Sequence, residues 1–159
     1  MSLVQNAELR VRPAVPDDER TLEELAARLA GFPLPAWRTA DEIAAADARA
    51  MIAAVRAART DDEVLIAQRG DTPVGCLHMI TATDFFGRRH AHISVIAVSQ
   101  EAEGTGVGRA LLAHADAWAR ARALPGVTLN VFAANERARR FYERAGFAPE
   151  FLKYAKPLE

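Results

Sequence analysis

The 159-residue sequence predicts a mixed α/β fold, a mostly antiparallel sheet flanked by helices, and three observations carry that expectation. Apolar residues recur at intervals of three and four in several stretches, as they do in helices that bury one face. Around them lie short β-branched and apolar runs bounded by Gly, Pro and Asp, which read as strands. The order is β, α, α, three strands, α, β, α, β. That order suits helices layered on a sheet, with a parallel pair only where a strand feeds a helix and then another strand.

Glu8 to Arg12 alternates charged and apolar side chains before Pro13 and Pro16, as an edge strand leaving into a turn does. Asp17 or Asp18 stands where a helix cap is needed, ahead of Leu22, Leu25, Ala26 and Leu29 on one face and Gly31 at the end. Phe32 to Trp37 contains Pro33 and Pro35 and cannot continue that helix. It reads either as a packed linker or as one wall of a substrate pocket. Asp41 to Arg59 is an alanine-rich second helix, with Ile43, Ala46, Ala50 and Val55 available for one face.

Glu63 to Gln68 and Thr72 to Thr81 flank Arg69-Gly70-Asp71, a hairpin signal in which Gly70 supplies the turn. The polar and aromatic turn from Asp84 to His90 leads into a strand from His92 to Val98. Past the helix that begins near Val107, the run Val127 to Ala133 alternates as a further strand, expected parallel to the previous one. Asn135 suits the cap of a last helix with Ala138, Phe141, Tyr142 and Ala145 on one face and Gly146 at its C′ position. Phe147 and the stretch Phe151 to Lys156 are left for a last strand or strand pair. No repeat or linker appears, so residues 1–159 read as a single domain.

The formal net charge is −1 with both signs mixed along the chain, which removes any bulk electrostatic case for nucleic acid or an anionic membrane. The lone cysteine, Cys76, excludes internal disulfides, and its place in the apolar run Val74 to Ile80 suits a small buried hydrophobe better than a nucleophile. No pair of histidines falls at ligand spacing with a carboxylate, so no metal is expected. The N-terminus has no cationic segment leading an apolar one, and no run reaches the about 18 residues of a membrane span, which makes a cytoplasmic protein the expectation.

The chain is organised around Val95 to Leu112, VIAVSQEAEGTGVGRALL. Gly104, Gly106 and Gly108 alternate with Thr105 and Val107, which lets the backbone curl with its N–H groups directed at one spot. Val107, Leu111, Ala115 and Trp118 recur at helical spacing, so the loop opens onto a helix N-terminus, whose free donors and partial positive charge suit phosphate. A Walker loop would need Lys and Ser or Thr after Gly108, where Arg109 and Ala110 stand. The dinucleotide fingerprint G-x-G-x-x-G is one residue longer. Neither fits.

Gly106 to Leu112 resembles the acyl-CoA loop and helix of the GCN5-related N-acetyltransferase (GNAT) family, usually written Q/R-x-x-G-x-G/A. Asn135 to Phe147 resembles the family's N-x-x-A-x-x-F-Y-E-x-x-G-F segment at every lettered position. Glu103 stands where the family usually has Arg or Gln and would put an anionic side chain near the expected pyrophosphate. The resemblance implies a GNAT-like fold, acetyl-CoA as co-substrate, and direct transfer in a ternary complex to the primary amine of a small molecule or peptide. It also implies dimers as a common arrangement, for which Phe151 to Leu158 could supply a shared edge.

By the same resemblance, Glu103, Gly104, Thr105, Gly106, Val107 and Gly108 form the cofactor cradle and Arg109 is a phosphate partner. The backbone of Ile96, Ala97 and Val98 runs beside the pantetheine arm and offers an N–H to the thioester carbonyl. Asn135 is a cofactor contact as well as a cap. Tyr142 is the acid that protonates the departing thiolate. His92, where several relatives carry a glutamate, is the base, acting directly or through water. Arg88, Arg89 and Trp37 are acceptor-side residues only by their place in flanking loops. A reading of another class, a CoA-binding regulatory module with weak or no catalysis, draws on Glu103 and on the missing glutamate, and Tyr142 argues against it.

Overall fold

Alternation along the strands sends side chains to two faces of one sheet, and helices cover both. The computed structural model describes residues 7–158. Its elements are β1 (Leu9–Pro13), α1 (Glu19–Ala26, prolonged by a 3-10 turn Ala27–Ala30), α2 (Ala40–Ala57), β2 (Asp62–Arg69), β3 (Thr72–Thr83), β4 (Arg89–Val98), α3 (Val107–Ala121), β5 (Val127–Leu129) and α4 (Glu136–Arg144). The strands lie in the order β1-β2-β3-β4-β5. All neighbours are antiparallel except β4 and β5, the parallel pair expected from the β-α-β order.

Leu65, Leu77, Met79 and Ile93 pack on one face against Val107, Leu111, Ala115 and Trp118 of α3, the four residues whose spacing marked that helix. Ile66, Cys76, Val95 and Ala97 pack on the other against Leu22 and Leu25 of α1 and Met51 of α2. Burying one such Leu, Ile or Met contributes about 1.5–3 kcal/mol, so the two layers hold the sheet from both sides. Cys76 is fully buried, and burial pushes its thiol up to about 12.

Ile93 and Val95 are two apart on β4 yet face opposite layers, and a β-bulge is the reason. Met79 pairs with Ile93 while the preceding His78 pairs with Val95, which leaves Ser94 without a partner on β3. The extra residue turns the strand over and bends it. Pairing of β4 with β5 runs only from Ala91↔Val127 to Ile93↔Leu129, so the two strands part at the bulge.

Several expectations are corrected. Neither Asp17 nor Asp18 caps α1 through its side chain. Asp18, buried, instead accepts Arg12 Nη1 and Nη2 at 2.7 and 2.8 Å and the N–H of Val15 at 2.8 Å, and Arg12 first of all holds its carboxyl below the usual range. The buried face of α2 is Ala48, Met51 and Ala54; Ala46 and Ala50 are exposed, and Ile43 and Val55 are half-buried. That helix is started by a capping box not anticipated, Thr39 Oγ1 accepting from Glu42 N at 3.2 Å. β5 ends at Leu129 rather than Ala133, and Phe151 to Lys156 forms no strand. A strand needs a neighbour to bond, and no described segment pairs the outer edge of β5, so Phe151, Leu152 and Tyr154 stay exposed.

Candidate active site

The glycine loop leaves β4 through Ser99, whose N–H donates to Val74 O at 2.9 Å, and a 3-10 turn Gln100–Ala102. Gly104 and Gly106 have φ of 73° and 88°, the left-handed region that a side chain resists. Gly106 caps α3 without a side chain, and the first intrahelical bond runs from Ala110 N to Gly106 O at 3.0 Å. The N–H groups of Val107, Gly108 and Arg109 are therefore the orphan donors of a helix start, backed by the helix dipole. Behind the loop, Arg69 Nη2 donates to Thr105 O at 3.0 Å and Thr105 Oγ1 to Ala102 O at 2.6 Å, so the threonine hydroxyl braces the turn.

Gly108 plays a different part from its neighbours. It sits inside the first turn of α3, and a Cβ there would lie 3.0 Å from Phe141 Cζ, so the missing side chain admits the α4 ring that precedes Tyr142. Arg109 is exposed at the same helix end.

Glu103 points back into protein. Its carboxylate accepts Arg28 at 3.0 Å and Arg137 at 2.7 Å, and Arg137 first, then Arg28, holds it below the usual carboxylate range. Two guanidiniums on one carboxylate leave a net positive charge beside the loop. Arg28 and Arg137 were not anticipated, and they lie 75 and 34 residues from Glu103, beyond the reach of any local pattern.

Where β4 and β5 part, a cleft of about 110 Å³ opens. Ser94 and Ile96 of β4, Leu129 and the residues after it, Asn135, Ala138 and Tyr142 of α4, and Ile43 and Asp47 of α2 line it. Leu29 and Phe32 close one end, with the Phe32 ring 5.3 Å from that of Phe132. Phe32 thus belongs to a pocket wall, whereas Trp37, Arg88 and Arg89 are exposed outside the lining. Past Ile93 the edge of β4 that faced β5 has no strand partner, so its backbone groups are available to a ligand. Of the anticipated backbone, Ile96 lines the cleft, Ala97 is buried toward α1 and α2, and Val98 packs toward α3.

Tyr142 lies between Phe141 and Phe147, ring centroids 5.3 and 5.9 Å away, and burial raises its pKa above the usual phenol value. It therefore keeps its proton at neutral pH. Asn135 Oδ1 accepts from Ala138 N at 3.2 Å, so the residue caps α4 while lining the cleft. His92 lies two residues before the bulge, its Nδ1 2.8 Å from Thr128 Oγ1, outside the cleft lining. Burial first, then His90 and His78, lowers its pKa and leaves it neutral at pH 7. Among the described residues no group of three or more His, Cys, Asp or Glu is arranged to hold a metal ion, and no helix is long and apolar enough to cross a membrane.

A splayed parallel pair, a donor-rich helix start beside it and a tyrosine in the gap define the class, and comparison gives it a name. Residues 22–147 match the model of the acetyltransferase (GNAT) family, and the chain belongs to that family. It is 52% identical over 52 residues to the 5-NmdU N-acetyltransferase of Pseudomonas phage PaMx11, covering 33% of this chain and 35% of that protein. It is 39% identical over 71 residues to the mycothiol acetyltransferase of Propionibacterium freudenreichii subsp. shermanii, covering 45% of this chain and 23% of that protein. The chain thus spans well under two thirds of the length of either relative. In fold it is similar to a GCN5-related N-acetyltransferase from Ralstonia eutropha JMP134, with a TM-score of 0.73 at 18% identity over 95% of this chain and 99% of that one.

Proposed function

We propose that the protein is an acetyl-CoA-dependent N-acetyltransferase that moves an acetyl group directly to a primary amine of a small molecule or peptide. The observation that carries this reading is the convergence, in one cleft, of the unpaired β4 edge and a protonated Tyr142, beside a helix start with three free donors. The names of both curated relatives denote acetyl transfer, which supports it.

The residues present fit the co-substrate. Left-handed Gly106 leaves the donors of Val107, Gly108 and Arg109 open to phosphate oxygens, and Arg28 and Arg137 cover the Glu103 carboxylate. Acetyl-CoA, when bound, supplies a thioester carbonyl as electrophile and a thiolate as leaving group. Backbone N–H groups of the freed β4 edge near Ile96 stabilise the negative charge that develops on the carbonyl oxygen. His92, neutral at pH 7, takes the proton that an alkylammonium must lose before attack, through water because its ring lies outside the lining. Tyr142 gives its proton to the sulfur; the desolvation that raises the phenol's pKa raises a thiolate's affinity for a proton as well.

Tyr142→Phe tests the reading. Loss of a positioned acid should lower kcat by about 10²–10⁴-fold while calorimetric CoA affinity stays within twofold. Unchanged turnover would remove the acid role. A wild-type protein that binds CoA and acetylates no amine would favour the regulatory module.

A further inference from the structure

Of all the described residues that line the cleft, Asp47 is the one that carries a charge. Its wall mates are apolar or neutral, among them Ile43 on the same helix, Phe32, Phe132 and Tyr142. α2 carries Asp47 one turn before the buried Met51, so the helix that seals one core layer also turns a carboxylate toward the β4 bulge. The residue is half-buried, and no hydrogen bond or ion pair with another described residue offsets that burial. Desolvation accordingly raises its pKa, opposed in part by the charge of His78.

The surroundings supply no hydrogen-bonded or ion-paired partner among the described residues. His78 on β3 is buried and its Nε2 donates to Asp62 of β2 at 2.8 Å, while its Nδ1 has no hydrogen-bond partner. His90 and His92 on β4 are turned to Arg88 O and Thr128, and Arg28 after α1 is engaged with Glu103. An unpaired carboxylate in an apolar cleft lacks one thing, a cation brought by a ligand.

We propose that Asp47 holds the ammonium of the acceptor, and that the acceptor class is a primary amine with an apolar or aromatic body and no carboxylate beside the nitrogen. The inference rests on acetyl transfer taking place in this cleft and adds what that reading leaves open, the acceptor's chemistry. The Phe32 and Phe132 rings and Ile43 pack the apolar body, and Asp47 repels an α-carboxylate at the same place.

The test compares phenethylamine with phenylalanine, which share a body and differ in the carboxylate, in a thiol-release assay with acetyl-CoA and by calorimetry on the CoA-loaded protein. Wild type should favour phenethylamine by about 10–100-fold, and Asp47→Asn should raise its KM by a similar factor while kcat changes by less. Asp47→Glu should restore part of the loss. Binding that disappears in Asp47→Asn supports the assignment even if no amine is turned over, an outcome that would defeat the transfer reading alone. Equal KM and equal binding in Asp47→Asn, or a preference for phenylalanine, would overturn it.

Folding supplies a readout free of substrate. A carboxylate whose pKa is raised in the folded state destabilises it above the ordinary Asp range and has no effect below. Asp47→Asn should therefore raise Tm at pH 7 and leave it unchanged at about pH 3. A lower Tm at pH 7 would mean that the carboxylate is paired within the protein, against the proposal.

Discussion

Gly75 on β3 lies under the start of α3, and Gly75→Ala tests whether that contact sets the glycine loop. An added Cβ would stand 2.8 Å from Ala97 O, 3.0 Å from Val107 Cγ1 and 3.2 Å from Leu111 Cδ1. The first contact is backbone of the neighbouring strand and cannot rotate away, so β4 or α3 must move by several tenths of an ångström. Overpacking of this kind costs about 1–3 kcal/mol. The smaller chain entropy of unfolded alanine returns about 0.4–1 kcal/mol, so destabilisation wins. The middle of each range leaves a net cost of about 1.3 kcal/mol, and at about 2–4 °C per kcal/mol for a chain of this size Tm should fall by about 3–5 °C in calorimetry. Since Val107 is both a contact and the first residue of α3, CoA affinity should fall with it. A matched Gly31→Ala change, whose added Cβ would meet only Arg28 O at 3.6 Å, should cost far less. A Gly75→Ala protein as stable as wild type would refute the packing argument.

Two further outcomes follow from charge and burial. Cys76 is fully exposed to reagent only on unfolding: a thiol-specific disulfide should label none of it in the native protein at pH 8 and one equivalent in denaturant, and rapid native labelling would contradict the packing. Arg137→Ala should weaken CoA by about tenfold, because it removes a guanidinium and uncovers the Glu103 carboxylate. Adding Glu103→Gln should recover much of that loss, and strict additivity in the calorimetric cycle would show that the pair is not coupled.

Most of the architecture could be read from local spacing. The loop glycines, the hairpin at Gly70, the Asn135 cap and the α3 face all depend on residues within a turn or two of each other, and backbone preference and periodicity report them directly. Asp18 misled because a helix cap and a salt bridge ask for the same carboxylate. Which role it takes depends on Arg12, delivered by β1. The buried face of α2 was ambiguous because alanine is equally at home on either side, and only the position of β2 and α1 selects Ala48, Met51 and Ala54.

For the candidate site the division is sharper. The sequence by itself determined the family's loop and the Asn135–Phe147 segment, and with them the family, since both are contiguous strings whose chemistry is local. Only the tertiary structure decided that Ser94 bulges, that β4 and β5 part there, that Asp47 faces the gap, and that Arg28 and Arg137 cover Glu103. Each of these is a relation between residues far apart in the chain. A bulge exists only against a partner strand, and the orientation of a helix face is settled by what it packs on, so no local pattern carries either.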